Sequence, residues 1–388
     1  MKDIIFVELK RVLDKRIFAI FFFFILVFSS TNIVSTLKNY NVYDNVGNIE
    51  ISSIENLKES KDNIHRITLD YNNMLRIINR EDKSKYMYNN NFVFLLLQVF
   101  NDKKFDEITE SDIKHFYVNR VENFSKNRIA FLGEEEQKFV IEKVSELQEP
   151  MEVGYSLGWS TINSKLVDLV TIVMLFISFI CVVIFGESQK GSMNDLLLST
   201  KNGRIDLIKS KLKVGVCLSS IAYFISVAIF TICNLLILGA KGYDLYIQSS
   251  LGFLYSAYNI TFFQQYLMNI LLGFVAVLLM TYITIFVSII FRKILNAGIV
   301  IIFIWILMFT LPNEIYVGYN FSHYFTNFLP YNIINFNKYY LYNDVYNLNG
   351  NIMFSYYIVS VITIIITLIL AFITYILLKM KIKKYGTR

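Results

Sequence analysis

Charge is almost absent from the long apolar runs of this sequence, and that absence is informative. Ion-driven transporters need ionisable groups within the membrane, where such groups are costly. Asp168 is the one candidate, near the end of a run, and it reads either as a helix-start acid or as a cation site. Cysteine is scarce too: Cys181, Cys217 and Cys233 all fall inside apolar runs, so no disulfide framework holds the polar segments. The three histidines, His65, His115 and His323, are scattered, and there is no H-E-x-x-H and no Cys/His cluster. The nucleotide-binding loop G-x-x-x-x-G-K-[ST] is missing, which argues against ATP hydrolysis by this chain. Nothing pairs a serine or cysteine nucleophile with a base. The expectation is no catalytic, cofactor or metal site of its own, and no nucleic-acid partner.

What is there is apolar. The chain has 388 residues, 55% of them hydrophobic and 16% aromatic, with three prolines. A helix needs about 20 apolar residues to cross a hydrocarbon core. Six runs approach or exceed that length: 17–34, 166–185, 214–238, 266–291, 295–311 and 354–378. The sequence predicts an all-α polytopic membrane protein. The first run has the basic flank of a signal peptide but no A-x-A cleavage site, and it reads as an uncleaved anchor.

Basic residues orient the runs. They crowd the amphipathic lead-in 1–16, the loop 186–213, the Arg292–Lys293 pair within 214–311, and the tail 379–388. The short loops of the other side hold little more than Lys241 and Lys338. Both termini are therefore expected in the cytoplasm of a bacterial cell. Residues 35–165 become an extracytoplasmic domain, mainly helical because apolar residues recur at helical spacing. FVFLLLQVF (92–100) is too short to span and predicts a core helix; TESD (109–112) and GEEEQK (133–138) read as helix starts. The aromatic-rich stretch 312–353 reads as an interfacial loop or short helix, or as part of an outer gate.

The loop 186–213 is patterned. Ser192 is a candidate cap with Asp195 three residues on, opening two turns that carry Leu196, Leu197 and Leu198. Asn202–Gly203 predicts a turn. A second, basic amphipathic helix should start near Arg204, with Ile205, Ile208 and Leu212 on one face, and run on into the third span. Lipid phosphates alone would explain the lysines, leaving an interfacial hairpin; the capped leucine triplet points to a docking element for a cytoplasmic partner.

Here the residues carry a resemblance. Phe185, Glu187 and Gly191, then Leu196, Leu197, Leu198, Ser199 and Thr200, then Arg204, Leu207, Ser210 and Lys211 form a pattern that resembles the permease subunits of type-2 ABC exporters. Lys201 stands where many members have proline. The lead-in MKDIIFVELKRVLDKR is similar to the family's amphipathic N-terminal helix. The resemblance implies a homo- or heterodimer of permeases in membrane lipid, each copy gripped by a cytoplasmic ATPase that binds ATP and Mg. It implies that Glu187, Gly191, Ser192, Leu196, Leu197, Leu198, Ser199, Thr200, Arg204, Leu207 and Lys211 couple to that ATPase. The nearly uncharged spans favour an apolar or amphipathic cargo such as a peptide, lipid or drug. A non-transporting sensor or immunity protein for antimicrobial peptides is the alternative, and an ion-coupled transporter a third reading.

Overall fold

A computed structural model describes residues 15–38, 42–43, 49–50, 66–79, 90–100, 103–104, 107–130, 132–185, 201–291, 293–311 and 326–385. In chain order it contains α1 (Lys15–Lys38), β1 (Val42–Tyr43), β2 (Ile49–Glu50), β3 (Ile67–Thr68), α2 (Tyr71–Ile78), α3 (Asn90–Val99) and α4 (Glu110–Lys114). Next come α5 (Phe116–Arg128), α6 (Glu134–Ser145), β4 (Glu152–Val153), α7 (Leu157–Phe185), α8 (Lys201–Leu238), α9 (Phe262–Phe291) and α10 (Ile294–Thr310). The last are α11 (Pro330–Ile333), α12 (Phe336–Tyr342), β5 (Val345–Leu348), β6 (Asn351–Phe354) and α13 (Ser355–Tyr385). Helices dominate, and the strands form three two-stranded antiparallel ladders that sequence reasoning did not anticipate.

Five of the described helices are long and apolar enough to cross a membrane: α1, α7, α8, α9 and α13. The run 295–311 forms the 17-residue α10, shorter than these five. Helix α7 lies at the centre, packed against α8, α9 and α10. Leu166, Leu169, Val170, Val173, Met174 and Ile177 are all buried along it. Two end clusters set the helix directions. Phe18 of α1 meets Ile184 of α7 and Val214 and Leu218 of α8. At the other end Ile33 meets Tyr155 and Leu238. So α1 and α8 run together and α7 runs against them. Gly158 permits the closest approach in this packing: a Cβ there would lie 2.1 Å from the Gly239 carbonyl oxygen.

The exposed side chains of the long helices are largely apolar, and small polar groups join the apolar core inside. Ile20, Phe23, Leu236, Leu271, Leu295, Phe303, Leu368 and Phe372 are exposed, whereas Ser178, Asn269, Thr281, Thr284, Ser288, Thr363 and Thr367 are buried. Most of these hydroxyls donate to the carbonyl one turn back: Ser178 to Met174, Thr281 to Val277, Thr284 to Met280, Ser288 to Thr284 and Thr363 to Val359. Hydroxyls satisfied within their own helix can face a neighbour without an orphaned donor. Such a surface suits lipid, because a soluble fold would not expose so much contiguous apolar area.

Residues 66–153 form a subdomain of the opposite kind. Its core is Leu69, Met74, Ile77, Leu95, Leu96, Val99, Ile113, Phe116 and Val153, closed at one side by Leu254. The stretch 92–100 is indeed a core helix, α3, with Leu95, Leu96, Val99 and Phe100 buried. TESD starts α4 with a capping box: Thr109 N–H donates to Asp112 Oδ2 at 2.7 Å and Asp112 N–H to Thr109 Oγ1 at 3.4 Å. GEEEQK starts α6, where Gly133 N–H donates to Glu136 Oε2 at 3.0 Å. The lysine Lys103 and the Thr109 donors hold the Asp112 carboxyl down to about 2.

The described part of the aromatic-rich stretch contains short helices, one of the forms expected, together with a hairpin that was not. Tyr316, Tyr319, Phe321, Tyr324 and Phe325 lie outside the described residues, but residues 326–354 form α11, α12 and the β5–β6 hairpin, packed into the bundle. Phe336, Tyr339 and Tyr340 are buried. The reason is polar pairing in the interior: Tyr340 Oη donates to Asn269 Oδ1 at 2.9 Å, and Asn269 Nδ2 to Asn163 Oδ1 at 3.3 Å. Asn163 in turn donates to the Phe262 carbonyl at 3.1 Å, so one chain of bonds ties α12, α9 and α7 together.

Candidate functional site

The candidate coupling surface lies at the end of the bundle where α1 begins, α7 ends and α8 begins. Phe18 stands edge-on to Phe176 with centroids 5.5 Å apart, and Phe21 stacks on Phe176 at 3.7 Å. Val214 and Leu218 close the cluster from α8. An added Cβ on Gly215 would touch Phe185 and Ile285 at 3.4 Å, so α9 also reaches this end. Arg16, Lys209 and Lys213 are exposed here and Lys211 is half-buried. Lys293, also exposed, caps the start of α10. Of the basic flanks that sequence reasoning used for orientation, Arg16, Lys209, Lys211, Lys213 and Lys293 are among the described residues at these helix ends.

Glu187, Gly191, Ser192, Leu196, Leu197, Leu198, Ser199 and Thr200 lie outside the described residues, and so does the expected short helix 193–199. Arg204, Leu207 and Lys211 are placed, on the first three turns of α8. Their spacing of three and four residues sets them along one stripe of the helix. Leu212 is half-buried against the main core and Ser210 is buried, while Lys213 is exposed.

One expectation is corrected. Asn202–Gly203 does not make a turn before α8; both residues are already helical, and the helix starts at Lys201. Glycine in a helix interior costs about 1 kcal/mol. The 38-residue helix that follows is packed against four other long helices, which outweighs a local preference for a turn. Arg204 and Lys211 therefore belong to one helical rod of about 57 Å.

The polar residues of the spans mostly serve packing. Asn269 is fully bonded into the α7–α9–α12 chain, and Thr281 and Thr284 bond to their own helix. Gln264 and Asn296 are exposed. Asn234 and Gln265 depart from this: both are buried, and Asn234 Oδ1 and both side-chain polar atoms of Gln265 lack a partner among the described residues. Asp168 is exposed, with a carboxylate oxygen 3.7 Å from Lys165 Nζ, and is no buried ion site.

Sequence reasoning missed Arg120. It is fully buried in α5, at the other end of the bundle, between Phe116 and Phe124 on the same stripe. That stripe, apolar one turn before and one turn after, was the available signal.

A family model described as ABC-2 family transporter protein matches residues 5–382. No curated protein and no solved structure matches the chain.

Proposed function

Because the chain belongs to the ABC-2 family of transporter proteins, a family of multi-pass membrane permeases, we propose that it is the permease subunit of an ATP-driven exporter. The observation that carries this reading is the near-complete family match on a chain with five membrane-length apolar helices. In the proposed topology α10 is a sixth crossing. Its 17 residues would extend about 26 Å, slightly under the hydrocarbon thickness. Both termini face the cytoplasm of a bacterial cell membrane, following the basic residues gathered at one end. The 66–153 subdomain then stands outside.

Energy comes from a separate cytoplasmic ATPase that binds ATP and Mg. Its groove receives the loop from Glu187 to Lys211. The continuity of α8 supports this role: a displacement applied at Arg204 is carried by an unbroken helix to Leu238. Two permease copies form the path for an apolar or amphipathic cargo. The exposed apolar faces of α1, α10 and α13 suit lipid and a second copy.

The test is affinity purification in mild detergent with identification of the co-purifying chain. Leu197→Asp or Arg204→Glu should abolish ATPase co-purification while membrane insertion persists. If both variants retain the ATPase, the coupling role is wrong. A kinase recovered in place of an ATPase would support a sensor of antimicrobial peptides. Asp168→Asn should leave ATP-dependent transport unchanged, as its exposed position supports; complete loss with assembly intact would point to ion coupling.

A further inference from the structure

A cavity of about 190 Å³ lies where the 66–153 subdomain meets the connector between α8 and α9. Arg120 lines it, 1% exposed. Its Nε and Nη2 both donate to the Leu254 carbonyl, at 3.2 and 3.0 Å, and so share one neutral acceptor. Nη1 has no hydrogen-bond partner among the described residues. Gln248, also on the wall, donates its Nε2 to the Ser256 and Tyr258 carbonyls at 3.0 and 2.7 Å. Two carbonyl acceptors fix that amide's orientation, so its oxygen is the free atom. Gln248 Oε1 is buried without a partner, and so is the Ser249 hydroxyl.

Three residues on the wall of this one small cavity each carry a buried, unpaired polar atom. Each orphaned group costs about 1–3 kcal/mol, and more when it is charged. Burial disfavours the Arg120 charge, and Glu149, whose own carboxyl is pushed up by burial, opposes that effect only through space. The second guanidinium at the cavity is already neutralised: Arg66 is hydrogen-bonded to Asp244 and lies 3.8 Å from Glu152. The wall residues Arg120, Ser249 and Gln248 therefore hold one uncommitted charged donor, one hydroxyl and one acceptor. An anion alone would leave Gln248 Oε1 unsatisfied. A phosphate would add charge beside Asp244 and Glu152 with one free guanidinium nitrogen to meet it.

We propose that this cavity binds a carboxylate with a neighbouring N–H donor, the chemistry shared by a peptide carboxy terminus and a free amino acid. The carboxylate takes the free Arg120 N–H and the Ser249 hydroxyl, and the N–H donates to Gln248 Oε1. The site is independent of the exporter reading, because it is measured as binding to the permease alone.

The experiment uses the full-length chain in lipid nanodiscs, with titration calorimetry and thermal unfolding against N-acetylglycine, glycine and N-acetylglycinamide. Saturable binding of either carboxylate, with none of the amide, is expected. N-acetylglycine alone identifies a peptide end, glycine alone a free amino acid, and both together the shared chemistry. No binding of either carboxylate, or equal binding of the amide, overturns the assignment. Arg120→Gln should weaken binding at least about tenfold and Ser249→Ala about fivefold, the effects of losing a charged and a neutral hydrogen bond. If Arg120→Gln does not give a monodisperse protein, Ser249→Ala decides: unchanged affinity rejects the site.

Discussion

In α13 the exposed positions include Val361, Ile364, Leu368 and Phe372, and the buried ones include Thr363, Thr367 and Thr374 beside Ile358 and Val359. In α6 of the subdomain Glu134, Glu135, Lys138 and Glu142 are exposed, and Val140 and Val144 are buried. The two helices use the same 3.6-residue period with opposite polarity. The difference follows from the solvent each meets. Water drives apolar side chains inward in α6. Lipid provides no such drive, so α13 packs through small hydroxyl residues that bond to their own backbone.

The sharpest break of that comparison is to put the same charge on both surfaces. Leu368→Asp should cost about 3 kcal/mol of insertion free energy, the penalty for an acid at the centre of a span. Val118→Asp, at an equally exposed apolar position of α5, should change stability by less than about 0.5 kcal/mol. Insertion and thermal unfolding in nanodiscs read both, and equal effects would refute a lipid-facing α13. Next in size, Gly158→Ala forces α7 from the Gly239 carbonyl and should destabilise by about 2 kcal/mol. Gly298→Ala in α10, where the added carbon meets nothing, should be neutral or slightly stabilising in the same unfolding assay.

Lys338 sits between the two regimes. It is buried within α12, donates to Asn327 Oδ1 at 2.8 Å, and has its ammonium 5.0 Å from the Tyr339 ring centre. Burial pulls its pKa down to about 8, against a weaker opposing pull from Asp344. The folded chain thus holds fewer protons than the unfolded one between pH 8 and the ordinary lysine range. Stability should therefore rise with pH there, by about 1.5 kcal/mol from pH 8 to 9.5. Lys338→Met should flatten that slope in pH-dependent melting, and an unchanged slope would assign it elsewhere. The smallest effect is expected from Asp112→Asn, which weakens the α4 capping box at a cost of about 1 kcal/mol in subdomain unfolding.

Much of this was legible because it is local. Thr109 and Asp112 stand three residues apart, and that spacing alone makes the box. The core helix at 92–100 follows from a run too short to span. Residues 201–203 misled because turn propensity is a local quantity, and a long packed helix overrode it. The partner of Arg120 was hidden for a different reason: the Leu254 carbonyl is 134 residues away, and no spacing announces it. The burial of Tyr340 likewise depends on Asn269, 71 residues earlier.

Apolar length and motif spacing, both properties of neighbouring residues, determined by themselves that this is a polytopic helical membrane protein. Which polar groups meet was decided only by the tertiary structure. The Asn163–Asn269–Tyr340 chain and the Arg120 cavity each join segments about 70 or more residues apart, and burial is a property of what lies across the contact.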